Sequence, residues 1–328
     1  MWPMGNEYFC KDEMARFRFV GSGGKISANT KSGGSMPPLF VPCEPEADMR
    51  LFWLTTVAMA AFAANSVLNR MAVTQGAMDP VDFAVLRLVA GALALGLLVA
   101  WRRGPVWAGW SGRAAGVFGL LLYLFGFSLA YVDLAAGIGA LILFGMVQVT
   151  MFAGAVLARE DVPVTRWLGA GLAFAGLVWL VSPAGQAVAL VPAAMMAAAG
   201  VGWGIYSLAG RGARDPLAAT AANFCLAVPV VLAVAWWRLD VANLTGLGVG
   251  LAVLSGAVTS GMGYALWYVV VPQLGAARAG VAQLSVPILA AVAGALWLEE
   301  PLGWRFMVAA AVVLGGVGLA IVKRPLRR

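Results

Sequence analysis

The sequence of 328 residues contains no histidine and only three cysteines, Cys10, Cys43 and Cys225. Without histidine, imidazole proton relays, most zinc sites and most Ser-His or Cys-His nucleophiles are excluded. The cysteines have no metal-ligand spacing and give no disulfide framework. The chain shows no constellation of acid, base, metal ligand and nucleophile, so we expect no enzyme and no cofactor or metal.

Charge is also scarce, since charged residues make up 11% of the chain and hydrophobic residues 62%. A soluble domain has about a quarter charged and about half apolar residues. A chain this apolar cannot cover itself with polar surface, so the composition predicts a polytopic membrane protein in a lipid bilayer. The net charge of +7 does not indicate a nucleic-acid partner, because the basic residues are spread through short loops and suit lipid headgroups better.

The first 48 residues do not share the pattern of the rest. They are rich in Gly, Ser and Lys, as in "GSGGKISANTKSGGSMPPLF" (21–40), and contain no apolar core of a signal peptide. Two interpretations stay open: residues 1–48 form a disordered tail, or Met49 is the true start of the protein. N-terminal sequencing of the native protein distinguishes them.

From Arg50 onward, long apolar stretches alternate with short charged or Gly/Pro-rich breaks. The stretches can cross about 30 Å of hydrocarbon as helices, which satisfy their own backbone groups in lipid. The pattern predicts an all-α fold with about ten transmembrane helices, at 51–72, 82–101, 113–131, 136–157, 165–182, 190–209, 216–237, 246–270, 274–298 and 303–322. The breaks at Asp133 and at "PQLG" (272–275) are the weakest.

The basic residues orient these helices. With the N-terminus in the cytoplasm, thirteen Lys and Arg flank the cytoplasmic ends, whereas only four flank the opposite ends: Arg70, Arg87, Arg238 and Arg305. Cytoplasmic loops of membrane proteins carry such an excess. We therefore expect a multi-pass inner-membrane protein with both termini in the cytoplasm.

The chain also repeats itself. At a shift of 140 residues Gly154 falls on Gly294 and Glu160 on Glu300, and at a shift of 136 the Asp-Pro pair at 79–80 falls on that at 215–216. We expect two five-helix repeats, residues 49–182 and 183–328. Because five is odd, the second repeat must be inverted, which is the architecture of many secondary transporters.

Two segments resemble a known family. "YALWYVV…LGAARAGVAQLSVPILAAVAGALWLEEPLGWRFMVAAAVVLGGVGLA" (264–320) is similar to the closing part of the drug/metabolite transporter superfamily, EamA-like branch, and "NSVLNRMAV…DPVDFAVLRLVAGAL" (65–93) to its opening helix pair. The resemblance implies ten helices around a central cavity and export or exchange of small metabolites such as amino acids. The chain departs from relatives with a polar or acidic residue before the proline, since Val286 stands there.

Polar and aromatic side chains at helical spacing are the substrate-binding candidates. For each, an interhelical hydrogen bond or an interfacial aromatic belt is the alternative. We expect the following residues to line the cavity: Asn65, Asn69, Gln148, Trp203, Tyr206, Ser207, Ser260, Tyr264, Trp267 and Gln283. The aromatic rings suit a planar or apolar group, and surroundings without arginine argue against a multiply charged ligand.

Pro287 interrupts the ninth span. It removes one backbone hydrogen bond and frees the carbonyl of Gln283. The proline is either a packed kink between helices or a hinge that lines the cavity.

Four charged residues near helix ends are further candidates. We expect Glu300 and its counterpart Glu160 to cap or pair at a helix junction, with proton carriage as the alternative. Arg70 and Arg87 flank the first outer loop, where they either pair with its aspartates, Asp79 and Asp82, or guide an anionic substrate group at the outer mouth.

Together these features predict an inner-membrane secondary transporter that exports or exchanges amino acids or similar small metabolites by alternating access. A multidrug-type efflux transporter is the alternative within transport, in which aromatic contacts dominate over polar ones. A non-transporting membrane scaffold would not need polar residues on cavity-facing helices. The expected partner is a small-molecule substrate, and a homodimer stays open.

Overall fold

In a computed structural model the chain forms helices that follow the apolar stretches of the sequence. The structure describes residues 45–75, 78–103, 112–159, 164–181, 189–210, 213, 215–238 and 244–321, among which no strand occurs. The helices are α1 (Pro45–Thr74), α2 (Pro80–Trp101), α3 (Arg113–Ala130), α4 (Ala136–Leu157), α5 (Val164–Val181), α6 (Leu190–Gly210), α7 (Pro216–Arg238), α8 (Gly246–Val253), α9 (Gly263–Gln283), α10 (Ser285–Trp297) and α11 (Trp304–Ile321). A π-helical segment, Leu254–Met262, joins α8 to α9.

Length and hydropathy identify these helices as membrane spans. In the described part of the chain, seven helices are long and apolar enough to cross a bilayer. Three shorter apolar helices, Trp167–Leu180, Ser285–Trp297 and Trp304–Leu319, lie at the fifth, ninth and tenth expected positions. The chain is therefore an all-helical, multi-pass membrane protein over its described residues, and the number of ten spans stays a prediction.

Two helix boundaries differ from the expectation. Helix α1 begins at Pro45, four residues before Met49, whereas residues 1–44 lie outside the described residues. Helix α9 continues through the "PQLG" sequence, and the chain breaks instead at Leu284. Pro287 explains this position, because it has no N–H to donate to the carbonyl of Gln283, the last residue of α9.

The internal repeat reappears in the backbone. Asp79 and Asp215 each accept a hydrogen bond from an amide in the first turn of the next helix, at 2.8 Å in α2 and 3.1 Å in α7. A proline follows each as the first helical residue, the usual arrangement for a helix start. Arg159 and Glu299, which are 140 positions apart, both adopt the left-handed conformation with φ 54°. Corresponding helices of the two repeats thus begin with the same Asp-Pro pair and are followed by a residue in the same left-handed conformation.

Contacts at the two ends of α3 show that corresponding helices of the two repeats run in opposite directions. Arg70, near the end of α1, donates to the carbonyl of Tyr131, just after the end of α3. At the other end of α3, Arg113 donates to the carbonyl of Ala219 in the first turn of α7 (2.7 Å). Helix α2 starts shortly after α1 ends, so α2 and its counterpart α7 start at opposite ends of the bundle.

Helices of the two halves interleave. Helix α3 packs along α6, α2 along α7 and the π-helical segment, α4 along α6 and α10, and α5 along α11. Helices α3 and α6 meet backbone to backbone, since a Cβ added at Gly119 would lie 2.5 Å from the carbonyl oxygen of Gly202. Small residues permit such close approach in lipid. The close contact holds the middle of α3 against the middle of α6.

Candidate functional site

A small cavity lies among the middle parts of α1, α3, α4 and α6 and the start of α9. Six of its nine lining residues are aromatic: the wall consists of Phe62, Asn65, Ser66, Tyr123, Phe127, Leu143, Phe144, Trp203 and Tyr264. Both repeats contribute to it. Its volume of about 20 Å³ holds about one or two water molecules, so a metabolite can enter only after the wall moves.

Trp203 is the centre of the aromatic wall. Its ring lies 5.0 Å from that of Tyr123 and 4.9 Å from that of Tyr264, both tilted, and stacks on that of Tyr206 at 5.3 Å and 22°. Tyr206 thus supports Trp203 from behind and does not line the cavity. Trp267 packs edge-on against Phe62 at 5.7 Å, outside the lining.

Asn65 carries the polar part of the wall. Its Oδ1 accepts hydrogen bonds from Ser255 (2.8 Å) and Thr259, and Ser260 lies 3.4 Å away. These three hydroxyl groups come from the π-helical segment, whose i→i+5 winding brings residues 255, 259 and 260 to the same side. The π-helical segment therefore holds the orientation of the Asn65 amide.

Arg87 lies directly behind the wall. Arg87 is the eighth residue of α2 and is fully buried, with 0% of its surface exposed. Its Nη2 donates to the hydroxyl oxygen of Tyr123 (2.7 Å) and its Nε to Ser260 Oγ (3.2 Å). The guanidinium also lies 5.2 Å from the Tyr123 ring centre and 4.9 Å from that of Phe127, a cation–π geometry.

These contacts correct two expectations. Arg87 lies two turns inside α2 and faces α3, so it is buried in the bundle and not at the outer mouth. The aromatic candidates also have an arginine nearby, because the Arg87 guanidinium donates a hydrogen bond to Tyr123, which lines the cavity.

Arg70 and Glu300 join four helix ends, those of α1, α3 and α10 and the start of α4. Glu300 Oε1 lies 3.0 Å from Arg70 Nε, and Glu300 Oε2 accepts from the amide of Ala136 at the start of α4 (2.7 Å). Arg70 Nη1 also donates to the carbonyls of Tyr131 (2.7 Å) and Val132 (2.6 Å). The carboxylate thus caps a helix N-terminus, where negative charge is favoured. Arg70 therefore pairs with Glu300, not with an aspartate of the first outer loop.

Tyr131 lies in the turn after α3, beside this ion pair. Its side chain is fully buried. The hydroxyl lies 3.3 Å from the carbonyl oxygen of Ala136, to which it donates.

Several predicted residues lie outside the cavity wall. Asn69 is fully buried and donates to Ser128 Oγ (2.8 Å), which ties α1 to α3. The Ser207 hydroxyl donates to the carbonyl of Trp203 within its own helix (2.7 Å). Gln148 is half-buried and is not a lining residue.

The remaining predicted residues lie near helix ends. Gln283 is the half-buried last residue of α9, and Pro287 is the buried third residue of α10. Neither lines the cavity. Glu160 lies outside the described residues.

The sequence contained a signal for the missed lining residues of α3. Tyr123, Phe127 and Tyr131 recur at intervals of four, which places three aromatic rings on one helix face. Their adjacent rings lie 5.2 Å and 4.7 Å apart. Phe62 and Phe144 stand among other apolar residues, and no spacing distinguishes them from residues that face lipid.

Comparisons with known proteins agree with this architecture. Residues 50–182 and 191–322 each match the model of the EamA-like transporter family. The chain is 45% identical over 285 residues to an uncharacterized protein of Pseudomonas aeruginosa, covering 84% of this chain and 96% of that protein. It is 25% identical over 265 residues to an uncharacterized transporter of Archaeoglobus fulgidus, covering 75% and 90% respectively.

A solved protein crystal structure supports the fold. It matches with a TM-score of 0.62 at 20% identity, covering 82% of this chain and 98% of that one. The two family matches leave residues 183–190 between them. The chain belongs to the EamA-like transporter family, and it is a membrane transporter of two repeats consistent with the drug/metabolite transporter superfamily.

Proposed function

We propose that the protein is a secondary transporter of the inner membrane that exports or exchanges amino acids or similar small metabolites by alternating access. The observation that carries this proposal is the cavity in the middle of the bundle, to which α1, α3 and α4 of one repeat and α6 and α9 of the other contribute. Inverted repeats around a central site can exchange which side is open at little cost in free energy.

We take the ion pair of Arg70 and Glu300 as a contact that closes the transporter at one end of the bundle. Arg70 belongs to the first repeat, and Glu300 follows α10 of the second. Together with the bond from Ala136 to Glu300, the pair ties the halves together at the end that the positive-inside bias assigns to the non-cytoplasmic side. Opening at this end requires these contacts to separate.

Multidrug-type efflux is the second candidate. The aromatic share of the wall favours it, since stacked rings bind diverse planar compounds without directional hydrogen bonds. Asn65 favours a metabolite with a fixed polar group instead, because its amide is held by the hydroxyls of Ser255 and Thr259. A transport panel that contains both substrate classes distinguishes the two.

Flux measurements test the proposal directly. The full chain, reconstituted into proteoliposomes, is loaded with unlabelled solute and assayed for counterflow of labelled amino acids, organic acids and cationic dyes, with and without a pH gradient. We expect saturable counterflow of at least one small metabolite. Absence of flux for every solute would contradict the proposal, and flux of dyes alone would favour efflux of drugs.

The proposed topology has a separate test. In a cysteine-free background, single cysteines at Arg102 and Arg211 should be labelled from the cytoplasmic side only, because both loops carry the cytoplasmic excess of arginine. Labelling of the two positions from opposite sides would contradict the inverted arrangement of five helices in each half.

Trp203→Leu should reduce transport through the cavity. The tryptophan ring contacts Tyr123 and Tyr264 within 5.0 Å, and its loss removes the central surface on which a substrate would pack. We expect transport efficiency to fall by about tenfold or more, on the basis of the area an aromatic side chain buries. Trp167→Leu is the matched control, because Trp167 is 54% exposed on α5. Equal loss in both variants would show that the effect is not specific to the cavity.

A further inference from the structure

The charge distribution around the cavity is one-sided. Arg87 is fully buried, and no carboxylate of the described residues lies within 4 Å of its guanidinium. Its Nη1 is buried without a hydrogen-bond partner. None of the nine lining residues is acidic. A buried cation without a paired anion is costly in a membrane and marks functional positions.

A hydrogen bond from Arg87 determines which way the Tyr123 hydroxyl at the cavity wall donates. Because Tyr123 Oη accepts from Arg87 Nη2, the hydroxyl proton of Tyr123 must be donated elsewhere, and Tyr123 lines the cavity. Asn65 has the same polarity, since its Oδ1 accepts from serine and threonine hydroxyls and its NH₂ group is left to donate. Two polar groups on the wall, the Tyr123 hydroxyl and the Asn65 amide, therefore keep a donor, with a positive charge behind them.

We propose that the cavity selects organic monoanions, in which one carboxylate is attached to an apolar or aromatic body. Tyr123 and Asn65 donate to the carboxylate, Arg87 supplies the positive potential, and the rings of Phe62, Trp203 and Tyr264 contact the body. This inference rests on the proposed transport function and narrows its substrates to small metabolites with one net negative charge, which excludes zwitterionic amino acids.

A single charge is favoured over two. The other buried arginine of the described residues, Arg113, bonds to Asn223 and the Ala219 carbonyl at the start of α3 and α7, away from the lining residues. Arg70 is occupied by Glu300. Arg87 is thus the one guanidinium that the described residues place against the wall, and one guanidinium balances one carboxylate.

A matched pair of probes tests the charge preference. The full chain in lipid nanodiscs is titrated calorimetrically with 3-phenylpropionate and with its neutral amide, 3-phenylpropionamide, which has nearly the same shape. The carboxylate should bind about ten- to a hundredfold more tightly, the range expected for one charge pair about 6–12 Å apart at an effective dielectric constant of about 20, because Tyr123 separates the carboxylate from Arg87. Equal affinities in the wild-type chain would overturn the inference, with no variant needed.

Variants assign the preference to Arg87. In Arg87→Gln the affinity ratio of carboxylate to amide should fall to about one, whereas Arg87→Lys should keep much of it, because the charge remains. Arg102→Gln makes the same chemical change at an exposed position of the same helical region and should keep the full ratio. An unchanged ratio in Arg87→Gln would overturn the inference.

Flux separates this inference from the transport proposal. If labelled 3-phenylpropionamide moves in proteoliposomes as fast as labelled 3-phenylpropionate, after the flux in protein-free liposomes is subtracted, the protein transports but does not select the carboxylate, and only the monoanion inference is overturned. If neither these probes nor any solute of the wider panel moves, the transport proposal itself is overturned, and the monoanion inference with it.

Discussion

Replacing Glu300 with glutamine is expected to lower the free energy of unfolding by about 2–3 kcal/mol, within the roughly 1.5–3 kcal/mol of a hydrogen bond to a charged group and below the roughly 3–5 kcal/mol for breaking a fully buried ion pair. The Glu300 side chain is 11% exposed and that of Arg70 19%, so solvent screens the pair less than it would on a surface. The variant also weakens the bond from the Ala136 amide, because a neutral oxygen accepts less strongly than a carboxylate. Chemical or thermal unfolding in detergent measures the change.

Glu299→Gln is the matched control for this experiment. It removes the same charge from the neighbouring residue, whose side chain is exposed and forms no ion pair in the described part of the chain. We expect little change in that variant. Arg70→Gln and the double variant complete a cycle, in which the double variant should lose less than the two single variants added together. Additive losses would show that the pair contributes no coupling.

Most helix positions could be predicted because lipid imposes a simple rule on sequence. A span must be long and apolar, and the break before the next span must contain charge or Gly/Pro, so α3, α4 and α6 agree with their expected ranges to within a residue or so. The rule failed between the eighth and ninth spans. "PQLG" looked like a break, but the helix passes through it, and the backbone bond that Pro287 removes decides the position of the interruption instead.

The site was less predictable, since apolar side chains that face the cavity and those that face lipid look alike in sequence. Trp203, Tyr264 and Asn65 were identified by their type and spacing, whereas Phe62 and Phe144 were not. The environment of Arg87 depends on tertiary contacts with Tyr123 and Ser260, which are 36 and 173 positions away. No local pattern encodes such distant pairings.

Replacing Gly119 with alanine is expected to lower the free energy of unfolding by about 1–3 kcal/mol, the usual cost of overpacking. The added Cβ would lie 2.5 Å from the Gly202 carbonyl oxygen and 2.8 Å from the Tyr206 amide nitrogen. Both are backbone atoms of α6, so no side-chain rotation relieves the contact and the helices must move apart. Gly171→Ala in α5 is the matched control, because no atom lies within 4 Å of its added Cβ.

The same substitution should also disturb the cavity, because the two glycines fix the distance between its most important rings. Tyr123 lies one helical turn after Gly119, Trp203 directly follows Gly202, and their ring centres are 5.0 Å apart. Separation of α3 from α6 widens this gap and moves the Tyr123 hydroxyl relative to Arg87 on α2. In Gly119→Ala the calorimetric preference for 3-phenylpropionate over its amide should therefore fall severalfold, whereas Gly171→Ala should keep it. A Gly119→Ala protein with wild-type stability and preference would show that the spacing of α3 and α6 is not set by this glycine.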